Sequence, residues 1–249
     1  MDAPTSSGAG EPLLGASDPL PCCSNPACLA VLASLKRATA CPGCDVVAYC
    51  DAACLEADRA AHLIVCRRIA EEWFAQELAL ALRGRVDSQF NAARCLTCGR
   101  GADADPVEAA RLLTSAAAGG HAAAALALGQ AYRSGTGVAV DLEVAWRWCL
   151  RGAELRDVAA QAYVGACLLT GGCGAAADPV AAARWLTEAA LSGHAESQFS
   201  LGGCYEFGAG VARDAAQARH WYESAVATNG GRHAAAEAAL ARLTQHCQC

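Results

Sequence analysis

Eight residues near the start of the chain have the types and spacing of a metal centre. Cys41 and Cys44 are separated by two residues, Cys50 and Cys54 by three, and His62 and Cys66 by three; Cys28 lies upstream, with Cys23 or Cys22 before it. Zinc takes four soft ligands at tetrahedral positions, and two ligands a few residues apart come from a single turn of chain. Four pairs make eight ligands, enough for two ions. A catalytic zinc keeps one position open for water. Eight ligands for two ions leave none open, so the expected sites are structural. Reduced, unligated thiols are the plainer alternative, and four successive pairs speak against it. Cys23 gives the shorter gap to Cys28 and is the expected first ligand, with Cys22 as the alternative.

Other residues that could carry chemistry have plainer explanations. Cys95 and Cys98 have the spacing of a redox or metal pair. Cys95, however, falls in register with Tyr132, Leu169 and Cys204, positions expected between helices, so a buried thiol is expected. Cys149, Cys167 and Cys173 are scattered. His246, Cys247 and Cys249 read as a tail. His121 and His194 each follow a glycine at the same point of two repeats and read as turn residues, not general bases. No phosphate-cradling glycine loop appears, because the Gly-x-Gly turns recur once per repeat. No catalytic residue and no small-molecule substrate are expected.

These residues sit in a chain of 249 residues, 54% hydrophobic but only 6% aromatic, with a formal net charge of −6. Much of the apolar fraction is alanine, the strongest helix former, so the expected fold is mainly α. An acidic chain repels phosphates, which argues against nucleic acid as a partner. No apolar run approaches the roughly 20 residues that span a bilayer, and the start Met1-Asp2-Ala3-Pro4 lacks the pattern of a signal peptide. The expected protein is intracellular, cytoplasmic or nuclear, neither secreted nor membrane-bound. Its sixteen cysteines are then metal ligands or buried thiols rather than disulfides. The expected organisation is a disordered tail at 1–20, a finger at 21–67, a connecting helix at 68–86 and a helical array at 87–249.

The finger resembles the MYND family. Cys41-Pro42-Gly43-Cys44, Cys50, Cys54, His62 and Cys66 follow that family's second half without a gap, and Tyr49 and the basic Lys36-Arg37 also match. The resemblance implies interleaved sites: Cys23, Cys28, Cys50 and Cys54 on one zinc, and Cys41, Cys44, His62 and Cys66 on the other. It also implies a short helix over Leu55–Cys66. Some family members bind proline-rich peptides through a Gln and a Trp; Leu55 and Arg59 stand at those positions here. Such a small segment cannot build its own core, so metal binding would supply its folding free energy, roughly 10 kcal/mol or more per ion.

Beyond Asp87 the chain repeats. Ser88-Gln89-Phe90 recurs as Ser197-Gln198-Phe199, and Asp105, Asp141, Asp178 and Asp214 step by 36, 37 and 36 residues, a solenoid period. Each unit reads as helix, glycine turn, helix, with the Asp capping the second helix. Asp105-Pro106 and Asp178-Pro179 place a proline where no amide donor is lost. Gly-x-Gly turns are expected at 99/101, 135/137, 172/174 and 208/210. Small residues at 93, 129, 166 and 202 let helices approach. Trp148, Trp185 and Trp221, with Leu112, are expected to fill the space between units. Residues His233 to Leu243 read as a closing helix. The pattern resembles Sel-1-like repeats, relatives of tetratricopeptide repeats, over roughly residues 87 to 230, in about four copies.

Both resemblances imply an adaptor or scaffold that holds other proteins through the finger and the helical array. One alternative is a subunit or substrate receptor of an enzyme complex, of ubiquitin-ligase or chaperone type. Another is a thiol-dependent enzyme using Cys95 or Cys98, which would need a depressed thiol pKa.

Overall fold

From Arg59 the sequence runs twenty-four residues without glycine or proline and is rich in Ala, Leu, Glu and Arg, residues that cost little in a helix. It forms one helix, α1 (Arg59–Leu82). The break expected after Cys66 is absent, because nothing there interrupts the hydrogen-bond ladder. The computed structural model describes residues 39–40, 48–49, 59–228, 230 and 233–246; for 39–40, 48–49, 59–67 and 245–246 it describes the backbone alone. These residues fall into two units divided between Glu72 and Trp73.

In the first unit, β1 (Thr39–Ala40) and β2 (Ala48–Tyr49) pair antiparallel, Thr39 opposite Tyr49. In the second, the C-terminal part of α1 is followed by α2 (Val86–Cys98), α3 (Pro106–Ala118), α4 (Ala122–Ser134), α5 (Leu142–Glu154), α6 (Val158–Thr170), α7 (Pro179–Leu191), α8 (Ala195–Phe207), α9 (Ala215–Thr228) and α10 (Ala234–His246). None of the described helices is long and apolar enough to cross a membrane.

Side-chain caps set where α3 to α10 begin; α2, preceded by Arg85, has none. Asp105, Asp141, Asp178 and Asp214 accept backbone amides at the starts of α3, α5, α7 and α9, each cap worth about 1 kcal/mol. Pro106 and Pro179 occupy the first turn as expected. The alternate helices are capped differently. His121, His194 and His233 accept an amide proton at Nδ1, from Ala124, Ser197 and Ala236, and Asp157 does the same for Ala160. The histidines read as turn residues are therefore N-caps.

The third repeat corrects the sequence register. Its extra residue lies in the turn after α6. The left-handed C-cap is Gly171 (φ 71°), equivalent to Gly99, Gly135 and Gly208, whereas the expectation placed it at Gly172. Cys173, also left-handed at φ 59°, absorbs the insertion before Gly174. Consequently Val164-Gly165, rather than Gly165-Ala166, stands where Leu128-Gly129 and Leu201-Gly202 stand, and Ala166 is exposed. The structural equivalents of Cys95 are Ala131, Cys167 and Cys204, not Tyr132 and Leu169; all four are buried.

Packing within the last three helix pairs follows one device, with Ala93 at the equivalent place in the first. The glycine of the first helix receives a large side chain of the second: Gly165 lies under Leu186, and Gly202 under Tyr222, where an added Cβ would come within 2.8 Å and 2.6 Å. Cys149 occupies the same place over Gly129. The position after each tryptophan thus fills the core, while Trp148, Trp185 and Trp221 are half-buried at the margins of the clusters. The repeat period points to the tryptophans, but at these crossings the space over the glycine is taken by the residue after each of them.

Neighbouring units are joined by side chains reaching back. Gln161 and Gln198 donate to the carbonyls of Ala153 and Ala190 at 3.5 and 3.1 Å. Gln89 does the same to Ala81 of α1 at 3.3 Å. Ala81 and Phe74 join the first core cluster, so the end of α1 does for the first repeat what α5 and α7 do for later ones. At the other end, Ala236 and Ala239 of α10 are fully buried with Tyr222 and Ala225 of α9, as expected of a closing helix.

Candidate metal centre and interaction surface

Of the expected zinc ligands, Cys23 (or Cys22), Cys28, Cys41, Cys44, Cys50 and Cys54 lie outside the described residues, as does Leu55. Their framework is partly visible. In the sequence Cys41 directly follows β1 and Cys50 directly follows β2, and the antiparallel pairing sets Ala40 opposite Ala48. His62 and Cys66 both lie on α1. Residues four apart lie on the same side of a helix, so these two positions suit one ion. Seven thiols and one imidazole are a soft donor set that fits zinc and discriminates against hard cations such as magnesium. Among the described residues, no group of three or more His, Cys, Asp or Glu side chains is placed to hold a metal.

The array offers a different kind of site. A groove of about 460 Å³ opens between α2 and α4 over α3. Ala110 and Leu113 of α3 and Ala127 of α4 line it with apolar surface, and Thr97 and Gln130 add polar groups. Among the described residues, its only charged lining groups are the guanidinium groups of Arg94 and Arg133. Both are exposed. Arg94 lies over the Phe90 ring, 5.8 Å from its centroid, a contact that steadies the side chain. A second cavity of about 410 Å³, along α5 and α7, carries Glu154 and Glu188 beside Arg156 and Arg184, so its charges are mixed. The spacing of repeats gave no hint of the first groove, because its character depends on which surface residues three helices bring together.

The buried array thiols are shifted away from the thiolate form. Burial pushes the Cys95 thiol up, and nearby Cys98 adds to this against the opposing pull of Arg100 and Arg94. Burial, reinforced by Cys173, raises Cys149 and Cys167 to about 12. An activated thiol needs the opposite shift. At pH about 8, a thiol of pKa about 12 is ionised to roughly one part in ten thousand, whereas an ordinary exposed thiol is roughly a quarter ionised. Iodoacetamide labelling of the native protein, read peptide by peptide, should modify exposed Cys98 and leave Cys149 and Cys167 at least about a thousandfold slower. Rapid native labelling of Cys149 or Cys167 would refute this account of the core.

Comparison with known proteins follows the same division. Residues 86–121, 122–157, 158–194 and 195–227 match the Sel1 repeat, each copy opening at the start of α2, α4, α6 or α8 or within one residue of it. Residues 21–66 match the MYND finger. Among solved structures, a Sel1 repeat protein from Oxalobacter formigenes is similar with a TM-score of 0.65 and 29% identity, over 70% of this chain and 49% of that one. A protective antigen of uropathogenic Escherichia coli displaying an SLR fold is similar in fold, with a TM-score of 0.58 and 23% identity, over 70% of this chain and 41% of that one. The chain thus spans about half the length of the first and less of the second. No match is found among curated proteins.

Proposed function

This chain belongs to the Sel1 repeat family and carries a MYND finger ahead of its four repeats; from that premise we propose that it is an adaptor that gathers other proteins through its finger and its repeats. Both modules are typical protein-interaction modules and neither is enzymatic. The finger's family implies zinc binding. In this reading, two structural ions are held by Cys23, Cys28, Cys50 and Cys54 and by Cys41, Cys44, His62 and Cys66. The ions would shape the finger, since eight ligands on two ions leave no open position for a reacting water. Zinc with seven thiolates would make the chain more acidic than its formal −6, which supports protein over nucleic acid as partner.

The observation that carries this reading is the pairing of two interaction modules on one chain. The test is affinity purification of the full chain from its source cells, with mass spectrometry and a Cys41→Ala/Cys44→Ala control. A partner recovered in stoichiometric amount, and lost or kept with the finger, would support the reading and assign the contact. Recovery of no stoichiometric partner by either form would sink it.

A further inference from the structure

We infer that the groove between α2, α3 and α4 receives an acidic peptide segment of a partner protein, with carboxylates on Arg94 and Arg133 and aliphatic side chains on the floor. This rests on the adaptor reading and narrows it to one surface and one partner chemistry. The first support is charge. A chain of net charge −6 presents here a groove whose charged lining groups are both cationic. Neither Arg94 nor Arg133 makes an ion pair with any described residue. Arg111 and Arg151, by contrast, are held by Glu108 and Glu154; Arg94 and Arg133 differ from the other unpaired arginines, such as Arg147 and Arg219, in lining one groove together. The guanidinium fork suits carboxylates, which it can bind with two parallel hydrogen bonds.

The second support is shape and composition. About 460 Å³ lies within the usual range of roughly 300–1,000 Å³ for binding pockets, and it would hold a few side chains rather than a folded surface. The floor of Ala110, Leu113 and Ala127 has no use for a purely charged ligand. It favours a segment in which acidic and aliphatic residues alternate. The mixed-sign cavity along α5 and α7 lacks this selectivity. A polyanion such as nucleic acid would meet the two arginines but also the acidic remainder of the chain, which repels it over any longer contact.

The test is fluorescence anisotropy on the full, zinc-loaded chain. The probes are a short fluorescein-labelled peptide of alternating glutamate and leucine, the same peptide with glutamine or lysine for glutamate, and a labelled oligothymidylate. The glutamate peptide should bind, weaken as salt rises, and exceed the glutamine peptide on the order of tenfold. The Arg94→Ala/Arg133→Ala double variant should lose that advantage while staying folded, its melting temperature lowered by no more than about 4 °C through loss of the Arg94–Phe90 contact. Arg94→Glu/Arg133→Glu should shift the preference to the lysine peptide. Equal binding of the glutamate and glutamine peptides, indifference to both double variants, or arginine-dependent binding of the oligothymidylate instead of the peptide would each overturn the inference. A stoichiometric partner that the Arg94→Ala/Arg133→Ala protein still recovers would leave the adaptor reading standing and remove the groove from it. The absence of any partner would remove the adaptor reading while the peptide titration still judged the groove.

Discussion

Stripping metal from the protein with EDTA is expected to release about two equivalents of zinc and unfold the finger while most of the helical circular-dichroism signal survives. The asymmetry follows from where each half gets its stability. A finger of this size buries too little apolar surface to stand alone, so losing roughly 10–16 kcal/mol of binding free energy per zinc leaves it nothing to fold on. From Trp73 onward the helices bury their own clusters of Ala, Leu, Val and Tyr, and no expected metal ligand lies among them. A small loss of helix is expected from the part of α1 that precedes Trp73. Total collapse of the helical signal on chelation would contradict the separation, and native material free of transition metal would remove the premise.

The second large effect is expected at the second glycine of the turns. Gly137 and Gly210 have φ near 73° and face the carbonyls of Pro106 and Pro179 in the preceding repeat, close enough that an added Cβ would overlap them. Gly174 meets the Leu142 carbonyl in the same way. Gly210→Ala should therefore cost about 2–5 kcal/mol, with left-handed strain of about 1–2 and overpacking of about 1–3 added together. Two controls separate the terms. Gly193 has φ 82° with nothing within 4 Å of its added Cβ, so Gly193→Ala should cost the strain alone, about 1–2 kcal/mol. Gly203 lies inside α8, and its nearest neighbour would be the Tyr222 hydroxyl at 3.7 Å. Gly203→Ala should leave stability unchanged or raise it by up to about 1 kcal/mol. Urea unfolding of the three variants measures the order. If Gly210→Ala were no worse than Gly193→Ala, the close approach between repeats would not be a constraint.

What the sequence disclosed was local in origin. An Asp before a proline or an apolar run caps a helix wherever it occurs, so Asp105, Asp141, Asp178 and Asp214 could be read without neighbours. A closing helix was legible in the run after His233 because its helical pattern needed no partner to be seen. The third turn was misread because Gly171 and Gly172 are equivalent as letters. The left-handed backbone at Gly171 and Cys173 and the approach of Gly174 to Leu142 show where the additional residue is absorbed. The repeat period puts the tryptophans between units, while the deciding fact is the space over Gly165 and Gly202, which is filled by Leu186 and Tyr222. Arg94 and Arg133 come from different repeats, and no periodicity marks them, because their common role is a property of three packed helices. The MYND pattern, by contrast, was legible as ligand spacing and identifies the finger's family; which ligand serves which ion is an assignment for experiment.

The way the first repeat begins has a consequence for how this protein can be shortened or lengthened. A chain started at residue 87, where the repeats begin as a sequence pattern, would strip Phe74 and Ala81 from the cluster around Ala92 and Leu112 and leave Gln89 without its acceptor. A start at Trp73 keeps that seal. Between the two single-helix lids all three seams share the approach of a turn glycine to the preceding repeat, so a whole unit could be spliced out or duplicated without exposing a new end. Length and groove could in this way change independently: copies added after the second repeat would leave Arg94 and Arg133 in place.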